Sequence, residues 1–126
     1  MKFILNTAAG DNPLDELIEK IRKFREARDW DQYHSPKNLA MALMVEAGEL
    51  AEQFQWLTQE QSSTLPPDKL AEVKEEIGDV LIYLANLCDK LGIDPMQAAF
   101  DKLAKNREKY PAPMVKGKSL KYTDYK

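Results

Sequence analysis

The chain is poor in the residues that build thiolate or imidazole sites. Its 126 residues include a single cysteine, Cys88, and a single histidine, His34. One cysteine excludes an internal disulfide and a zinc site made of several thiolates. Because Cys88 falls among apolar positions, we expect a buried packing thiol there. The cysteine usage agrees with a reducing compartment, so we predict a cytoplasmic protein.

Long apolar runs and a strong net charge are also lacking. The longest unbroken apolar run, Leu39 to Val45, is far shorter than a membrane span. The apolar run near the N-terminus is too short for a secretory signal. The net charge of −3 gives no field that would attract a nucleic acid polymer or an acidic membrane. The length predicts one domain over residues 1–126.

The chain does contain apolar residues at helical spacing, separated by turn signals. Cap residues followed by proline, together with Gly92, predict four helices, at about 13–28, 35–57, 68–91 and 94–110. A polar loop and a basic tail are predicted at about 58–67 and 112–126. No stretch alternates with period two, so we predict an all-α, four-helix bundle-like protomer. The second helix is apolar on more than one side, so we expect a homo-oligomer that completes the core.

Two pairs of acidic residues lie close to the apolar faces of the second and third helices. Glu46 and Glu49 are three residues apart, as are Glu76 and Asp79, so each pair lies on one helical face. If the two helices pack together, the facing carboxylates repel each other unless a hard cation such as Mg²⁺ binds between them. By spacing alone, a solvated acidic face is an equal reading. A di-iron site is disfavoured because His34 lies outside both helices.

The sequence around these acids resembles a known family. EAGE at residues 46–49 and EIGD at residues 76–79 resemble the ExxE and ExxD signature of the all-α NTP pyrophosphohydrolases, the MazG-like superfamily. Further stretches, in the same order, are similar to its dCTP pyrophosphatase branch: RDWDQYHSPKNL at 28–39, EAGELAEQFQW at 46–56, EIGDVLIYL at 76–84, NREKYP at 106–111 and KYT at 121–123.

The resemblance implies a magnesium-dependent enzyme, with Mn²⁺ as a substitute metal, whose ligands are Glu46, Glu49, Glu76 and Asp79. It implies that water attacks the α-phosphorus of a nucleoside triphosphate and releases pyrophosphate and the monophosphate, as in house-cleaning of the nucleotide pool. Either Glu49 or Glu46 would accept the proton of that water. The implied assembly is a homotetramer, a dimer of dimers.

Further residues are candidates for binding the substrate. By analogy with the family, Trp56 is expected to stack on the base, whereas Trp30 and Tyr83 fit a core or interface role equally well. His34 is a further aromatic candidate near the acidic motifs, although it also adjoins the helix cap at Ser35. Asn38 is a candidate for hydrogen bonds to the base or sugar. Candidates for the phosphates lie on the fourth helix and in the tail: Lys102, Asn106, Arg107, Lys118, Lys121 and Tyr122.

One difference between this sequence and the family pattern leaves the choice of base open. As we align them, the eukaryotic dCTP-cleaving relatives carry a histidine where this chain has Ile21. Strict dCTP preference is therefore not implied, and another dNTP stays open. One alternative is a phosphohydrolase similar to the dimeric dUTPases, which would select uracil. Another is a non-catalytic helical interaction protein whose acids bind a partner.

Overall fold

The computed structural model describes residues 12–119, and every regular element in this part of the chain is a helix. The predicted all-α class is therefore confirmed. In chain order the elements are α1 (Pro13–Ala27), a 3₁₀ turn (Asp31–Tyr33), α2 (Pro36–Glu52), α3 (Gln59–Ser62), α4 (Pro67–Leu91), α5 (Pro95–Lys109) and α6 (Ala112–Val115).

The long helices begin and end at the turn signals. The side chains of Asn12, Ser35 and Asp94 accept hydrogen bonds from free backbone N–H groups at the starts of α1, α2 and α5. A proline occupies the first turn of each helix, where its missing N–H costs nothing. Gly92 ends α4 with φ of 67°, a left-handed conformation that glycine adopts without strain.

The structure differs from the predicted boundaries in three places. α2 ends at Glu52 instead of about Leu57, because the N–H groups of Gln53 and Phe54 bond to carbonyls three residues earlier and tighten the chain. The predicted loop contains α3, where Thr58 and Gln61 satisfy each other's backbone N–H groups in a capping box. The predicted tail begins with α6, which starts after Pro111.

The chain falls into two compact units, Met1–Gly92 and Ile93–Lys126. In the first unit α4 packs against both α2 and α1. Its buried apolar side chains are Ile21, Leu39, Val73, Ala85 and Cys88. Cys88 is thus a buried thiol, as its apolar neighbours indicate. The second unit contains α5 and α6. The assignment of residues 1–126 to one domain stays a prediction.

One face of α2 is apolar and uncovered. Met41, Met44 and Val45 share this face and are exposed by 59%, 71% and 59%. The second apolar side of this helix, which the sequence indicates, is therefore not buried by the described part of the chain. None of the helices among residues 12–119 has the length and apolar character needed to cross a membrane.

Candidate metal centre and adjoining cavity

Three carboxylates converge where α2 packs against α4. Glu46 and Glu49 lie on α2 and Glu76 lies on α4, and each offers an oxygen within 4.8 Å of the others. The spacing of three residues puts both α2 acids on one face. The packing of α2 on α4 then brings the third acid to them. An acidic cluster that spacing alone cannot prove is therefore present in the fold.

The cluster contains carboxylate oxygens that lack hydrogen-bond partners in the described part of the chain. The Oε2 atoms of Glu46 and Glu76 are buried and have no hydrogen-bond partner. Burial, and then the neighbouring Glu49 carboxylate, raise the pKa of both Glu46 and Glu76 above the usual glutamate range. Buried carboxylate oxygens without partners are costly to a folded chain. A hard divalent cation with oxygen ligands would satisfy them, so these residues fit such an ion.

Asp79 lies beside the cluster but is not one of its three mutually close members. Its negative charge contributes to the raised pKa of both Glu46 and Glu76. Asp79 also lines a cavity formed by α1, the 3₁₀ turn region and α4. The carboxylate cluster and the cavity therefore adjoin each other at this side chain.

The cavity has a volume of about 390 Å³, within the usual range for small-molecule sites. Aromatic rings form part of its wall, with the Phe24 and Trp30 ring centres 5.6 Å apart and those of Trp30 and His34 6.2 Å apart. Its lining residues are Leu17, Lys20, Ile21, Phe24, Arg25, Trp30, His34, Asp79, Ile82, Tyr83 and Asn86. Trp30, His34 and Tyr83, all named from the sequence, therefore meet in one cavity.

Two further candidates from the sequence, Trp56 and Asn38, are not among the residues that line the cavity. Trp56 is 87% exposed. The Asn38 amide instead donates to the backbone oxygen of Tyr33 at 2.9 Å, which holds the start of α2. Four candidates belong to the second unit: Lys102, Asn106 and Arg107 on α5, and an exposed Lys118 after α6. Lys121 and Tyr122 lie outside the described residues.

A buried polar network at the cavity wall was not found from the sequence. Arg25 and Asn86 are 8% and 3% exposed, and the Arg25 guanidinium donates to Asn86 Oδ1 at 2.6 Å and to Asp89 Oδ2 at 2.9 Å. Asn86 Nδ2 lies 3.1 Å from His34 Nδ1. Asn86 interrupts an apolar stretch between Leu84 and Cys88, and that interruption was the available signal.

The network pairs three cationic side chains, Arg22, Arg25 and Lys90, with the two carboxylates of Asp31 and Asp89. The side-chain hydrogen bond from Arg22, followed by that from Arg25, holds the pKa of Asp89 below its usual range. Burial, together with the positive charges of Arg25 and Lys90, lowers the pKa of His34. Lys90 and Arg25 both pair with Asp31 in the 3₁₀ turn. The ion pairs therefore tie α1, the turn and α4 together around a neutral imidazole at neutral pH.

Comparison with known proteins identifies the family of this chain. Residues 41–125 match the MazG-like family. The chain belongs to this family. The mouse and human proteins named dCTP pyrophosphatase 1 are 43% and 42% identical over 116 residues, covering 87% of this chain and 68% of each relative. The crystal structure of a pyrophosphatase from Archaeoglobus fulgidus superposes with a TM-score of 0.75 at 40% identity, covering 87% of this chain and 99% of that one. The resemblance drawn from the sequence motifs is confirmed.

Proposed function

We propose that this MazG-like protein is a magnesium-dependent nucleoside triphosphate pyrophosphohydrolase. It converts a deoxynucleoside triphosphate, with dCTP as the first candidate, to the monophosphate and pyrophosphate, in house-cleaning of the nucleotide pool. The observation that carries the proposal is the carboxylate cluster of Glu46, Glu49 and Glu76, with its two buried unpartnered oxygens, beside an aromatic cavity. Cytoplasmic location stays a prediction.

The predicted enzyme class, a nucleoside triphosphate pyrophosphatase, is confirmed by relatives that share about two fifths of the sequence. Those relatives are named dCTP pyrophosphatase 1 and pyrophosphatase. The choice of dCTP for this chain is carried over from the printed names of the mammalian proteins. It therefore belongs to the proposal.

The metal would be held by Glu46, Glu49 and Glu76, with Asp79 as the neighbouring fourth carboxylate. Carboxylate oxygens suit Mg²⁺, and Mn²⁺ accepts the same ligands. When bound, the ion would neutralise triphosphate charge and lower the pKa of a coordinated water. The chain's own contribution is to hold several carboxylates against their mutual repulsion.

The cavity would hold the base. Trp30, His34 and Tyr83 supply ring faces and edges for a nucleobase, and stacking of this kind is worth about 1–3 kcal/mol per base. Asp79, at the cavity wall next to the acid cluster, marks the side on which the phosphates would leave the cavity. Glu49 or Glu46 would accept the proton of the attacking water.

The test is pyrophosphate release from a panel of dCTP, dUTP, dATP, dGTP and dTTP, with Mg²⁺ and with a chelator, and with products resolved by chromatography. We expect Mg²⁺-dependent formation of monophosphate, strongest with dCTP. Glu49→Ala should lower turnover by about 10²–10⁴-fold if Glu49 accepts the proton, and the folded fraction should stay unchanged. Full turnover by this variant would remove Glu49 from the site.

The same panel separates the alternatives. Cleavage confined to dUTP and dUDP would favour the reading as a dUTPase-like phosphohydrolase. No turnover, with no Mg²⁺-dependent nucleotide binding in a calorimetric titration, would favour a non-catalytic helical protein that binds a partner.

A homo-oligomer, with a tetramer as the expected size, is part of the proposal. Gly48 continues the exposed face of Met41, Met44 and Val45, and a Cβ added there would meet nothing within 4 Å in this chain. Glycine inside a helix lowers stability by roughly 1 kcal/mol relative to alanine. A second copy of the chain packed closely against this face would explain why a glycine stands at position 48. Met44→Glu should reduce the mass measured by light scattering, whereas Gln59→Glu on exposed α3 should not.

A further inference from the structure

The buried pair formed by Arg25 and Asn86 fixes how the cavity can form hydrogen bonds. The Arg25 guanidinium carries only donors, so the Asn86 atom 2.6 Å from it must be the amide oxygen. The amide nitrogen of Asn86 is then the atom that faces His34 Nδ1 at 3.1 Å. The orientation of the Asn86 amide therefore follows from the chemistry of its neighbours.

The same reasoning determines the tautomer of His34. An amide nitrogen can only donate, so His34 Nδ1 must accept and cannot carry a proton. A neutral imidazole then carries its proton on Nε2. A second proton on Nδ1 is opposed by the Asn86 amide and by the nearby Arg25 and Lys90 charges. His34 is consequently a neutral ring with a donor at Nε2.

We propose that Asn86, held by Arg25, is the residue that determines base specificity, because it fixes two hydrogen-bond donors, its own amide and His34 Nε2. The one carboxylate among the lining residues, Asp79, lies next to the acidic cluster. Both Asn86 and His34 line the cavity. The remaining Asn86 amide proton and the His34 Nε2 proton are the two donors that this pair offers to a ligand. This inference rests on the proposed function, since it concerns the base bound in that same cavity.

Two neighbouring donors select a base edge with two neighbouring acceptors. Cytosine offers such an edge with O2 and N3, whereas uracil and thymine carry a proton on N3. A uracil ring placed in the same way would turn an N–H towards a donor and leave both buried groups unsatisfied, which is costly. A site built from hydrogen bonds discriminates in this way much better than an apolar pocket does. The donors thus favour cytosine over uracil and thymine at a site where Ile21 supplies no polar group.

Asn86→Asp is the decisive variant because it reverses the role of one atom. An aspartate accepts from Arg25 and also from His34, so it would move the imidazole proton to Nδ1 and leave Nε2 as an acceptor. Asn86→Ala removes both bonds and covers the case in which the aspartate variant does not fold. Gln59→Glu adds the same charge change on exposed α3 and is the matched control.

The first measurement is the ¹⁵N spectrum of the imidazole, which needs no assignment because His34 is the chain's only histidine. We expect the proton on Nε2 in the wild type and in Gln59→Glu, and on Nδ1 in Asn86→Asp. In Asn86→Ala we expect a mixture of the two tautomers. A proton on Nδ1 in the wild type, or an unchanged tautomer in both Asn86 variants, would overturn the proposal.

The second measurement is the affinity for dCMP and dUMP, which requires no turnover. The wild type should bind dCMP more tightly by about tenfold or more, the effect expected when a buried donor is left unpaired. The ratio should fall towards one in Asn86→Asp. Equal affinities in the wild type would overturn the base-reading role even if triphosphates are hydrolysed. Loss of turnover with the dCMP preference intact would instead refute only the proposed function.

Discussion

Two groups of charged and polar side chains lie in the first unit, and α4 contributes to both. The carboxylate cluster of Glu46, Glu49 and Glu76 contains charges of one sign and two buried oxygens without partners. The polar network of Arg25, Asn86, Asp89 and their neighbours contains charges of both signs joined by short hydrogen bonds. The pKa values shift in opposite directions, upward for Glu46 and Glu76 and downward for Asp89.

The difference between the carboxylate cluster and the polar network distinguishes a binding site from the structure that holds it in place. Groups of opposite charge that pair with one another stabilise the fold and hold the cavity wall, although Arg25 Nε has an ion pair with Asp31 and no hydrogen bond among the described residues. Groups that repel one another lower the stability of the free chain and are kept only where a ligand compensates. We therefore interpret the cluster as the binding site for a cation and the network as the structure that shapes the adjoining cavity.

The largest expected effect is on catalysis. Glu76→Gln removes one carboxylate from the cluster, and we expect kcat/KM for dCTP to fall more than about 100-fold, beyond the usual effect of losing an outer-shell partner of a metal ligand. The matched change Asp89→Asn leaves the cluster intact. The folded fraction of this variant should therefore lose less than about 100-fold in kcat/KM. Steady-state kinetics at saturating Mg²⁺ measure both. Equal losses in the two variants would abolish the distinction between site and support.

The next effect is on stability, and here the order of the two variants reverses. Asp89→Asn leaves the Arg25 guanidinium buried without its main counter-charge, so the free energy of unfolding should fall by about 3–5 kcal/mol. Glu76→Gln removes a repelling charge and should leave the metal-free protein at least as stable as the wild type. Urea unfolding in the presence of a chelator measures both changes. Destabilisation by Glu76→Gln as large as that by Asp89→Asn would contradict this account.

Addition of Mg²⁺ should stabilise only proteins with an intact cluster. At a concentration of 100 times Kd, the free energy of unfolding should rise by about 2.7 kcal/mol in the wild type and in Asp89→Asn. The rise should be much smaller in Glu76→Gln at the same concentration. Thermal melts across a magnesium titration give this comparison, with NaCl at equal ionic strength as the control. An equal shift in all three proteins would indicate a nonspecific salt effect.

The smallest expected effect is on the pH dependence of the metal-free protein. Because the folded pKa of Glu76 is raised, its destabilising charge is present above that pKa and disappears as the pH falls towards the ordinary glutamate value of about 4.3. The stability difference between Glu76→Gln and the wild type should therefore narrow between pH 8 and pH 4.5. The titration of His34 affects both proteins alike and cancels in the difference.

The contribution of Asp89 to stability depends on pH with the opposite sign. Its folded pKa is lowered, so its contribution is present above the unfolded value of about 3.9 and is lost as the pH falls through the folded pKa. The stability difference between the wild type and Asp89→Asn should thus stay constant from pH 8 to pH 5 and shrink only at lower pH. Urea midpoints across this range test both signs, and a gap for Asp89→Asn that closes near neutral pH would contradict the assignment.

The sequence predicts the helices well because their ends are marked by side chains that act locally. Ser35, Asp94 and Gly92 each act on backbone groups within a few residues, so the pattern alone locates them. The end of α2 was misplaced because apolar spacing continues to Leu57 after the helical hydrogen bonds have changed to a three-residue spacing. Apolar periodicity records which side faces the core and does not record the hydrogen-bond pattern.

The site was predictable only in part. Acids three residues apart on two helices indicated the cluster, with Asp79 among them, and the family resemblance named the same four residues. The polar network was not predictable, because Arg25 and Asn86 lie 61 positions apart and become partners only when α1 packs on α4. Trp56 is 87% exposed in the described part of the chain, and its stacking role, carried over from the family, stays a prediction.

The most direct test of the central claim is anomalous diffraction from crystals grown with Mn²⁺ in place of Mg²⁺. We expect a peak among the carboxylate oxygens of Glu46, Glu49 and Glu76, within direct coordination distance of them, and no such peak in Glu76→Gln crystals. A manganese peak bound elsewhere on the chain, with these three carboxylates free of metal, would contradict the account.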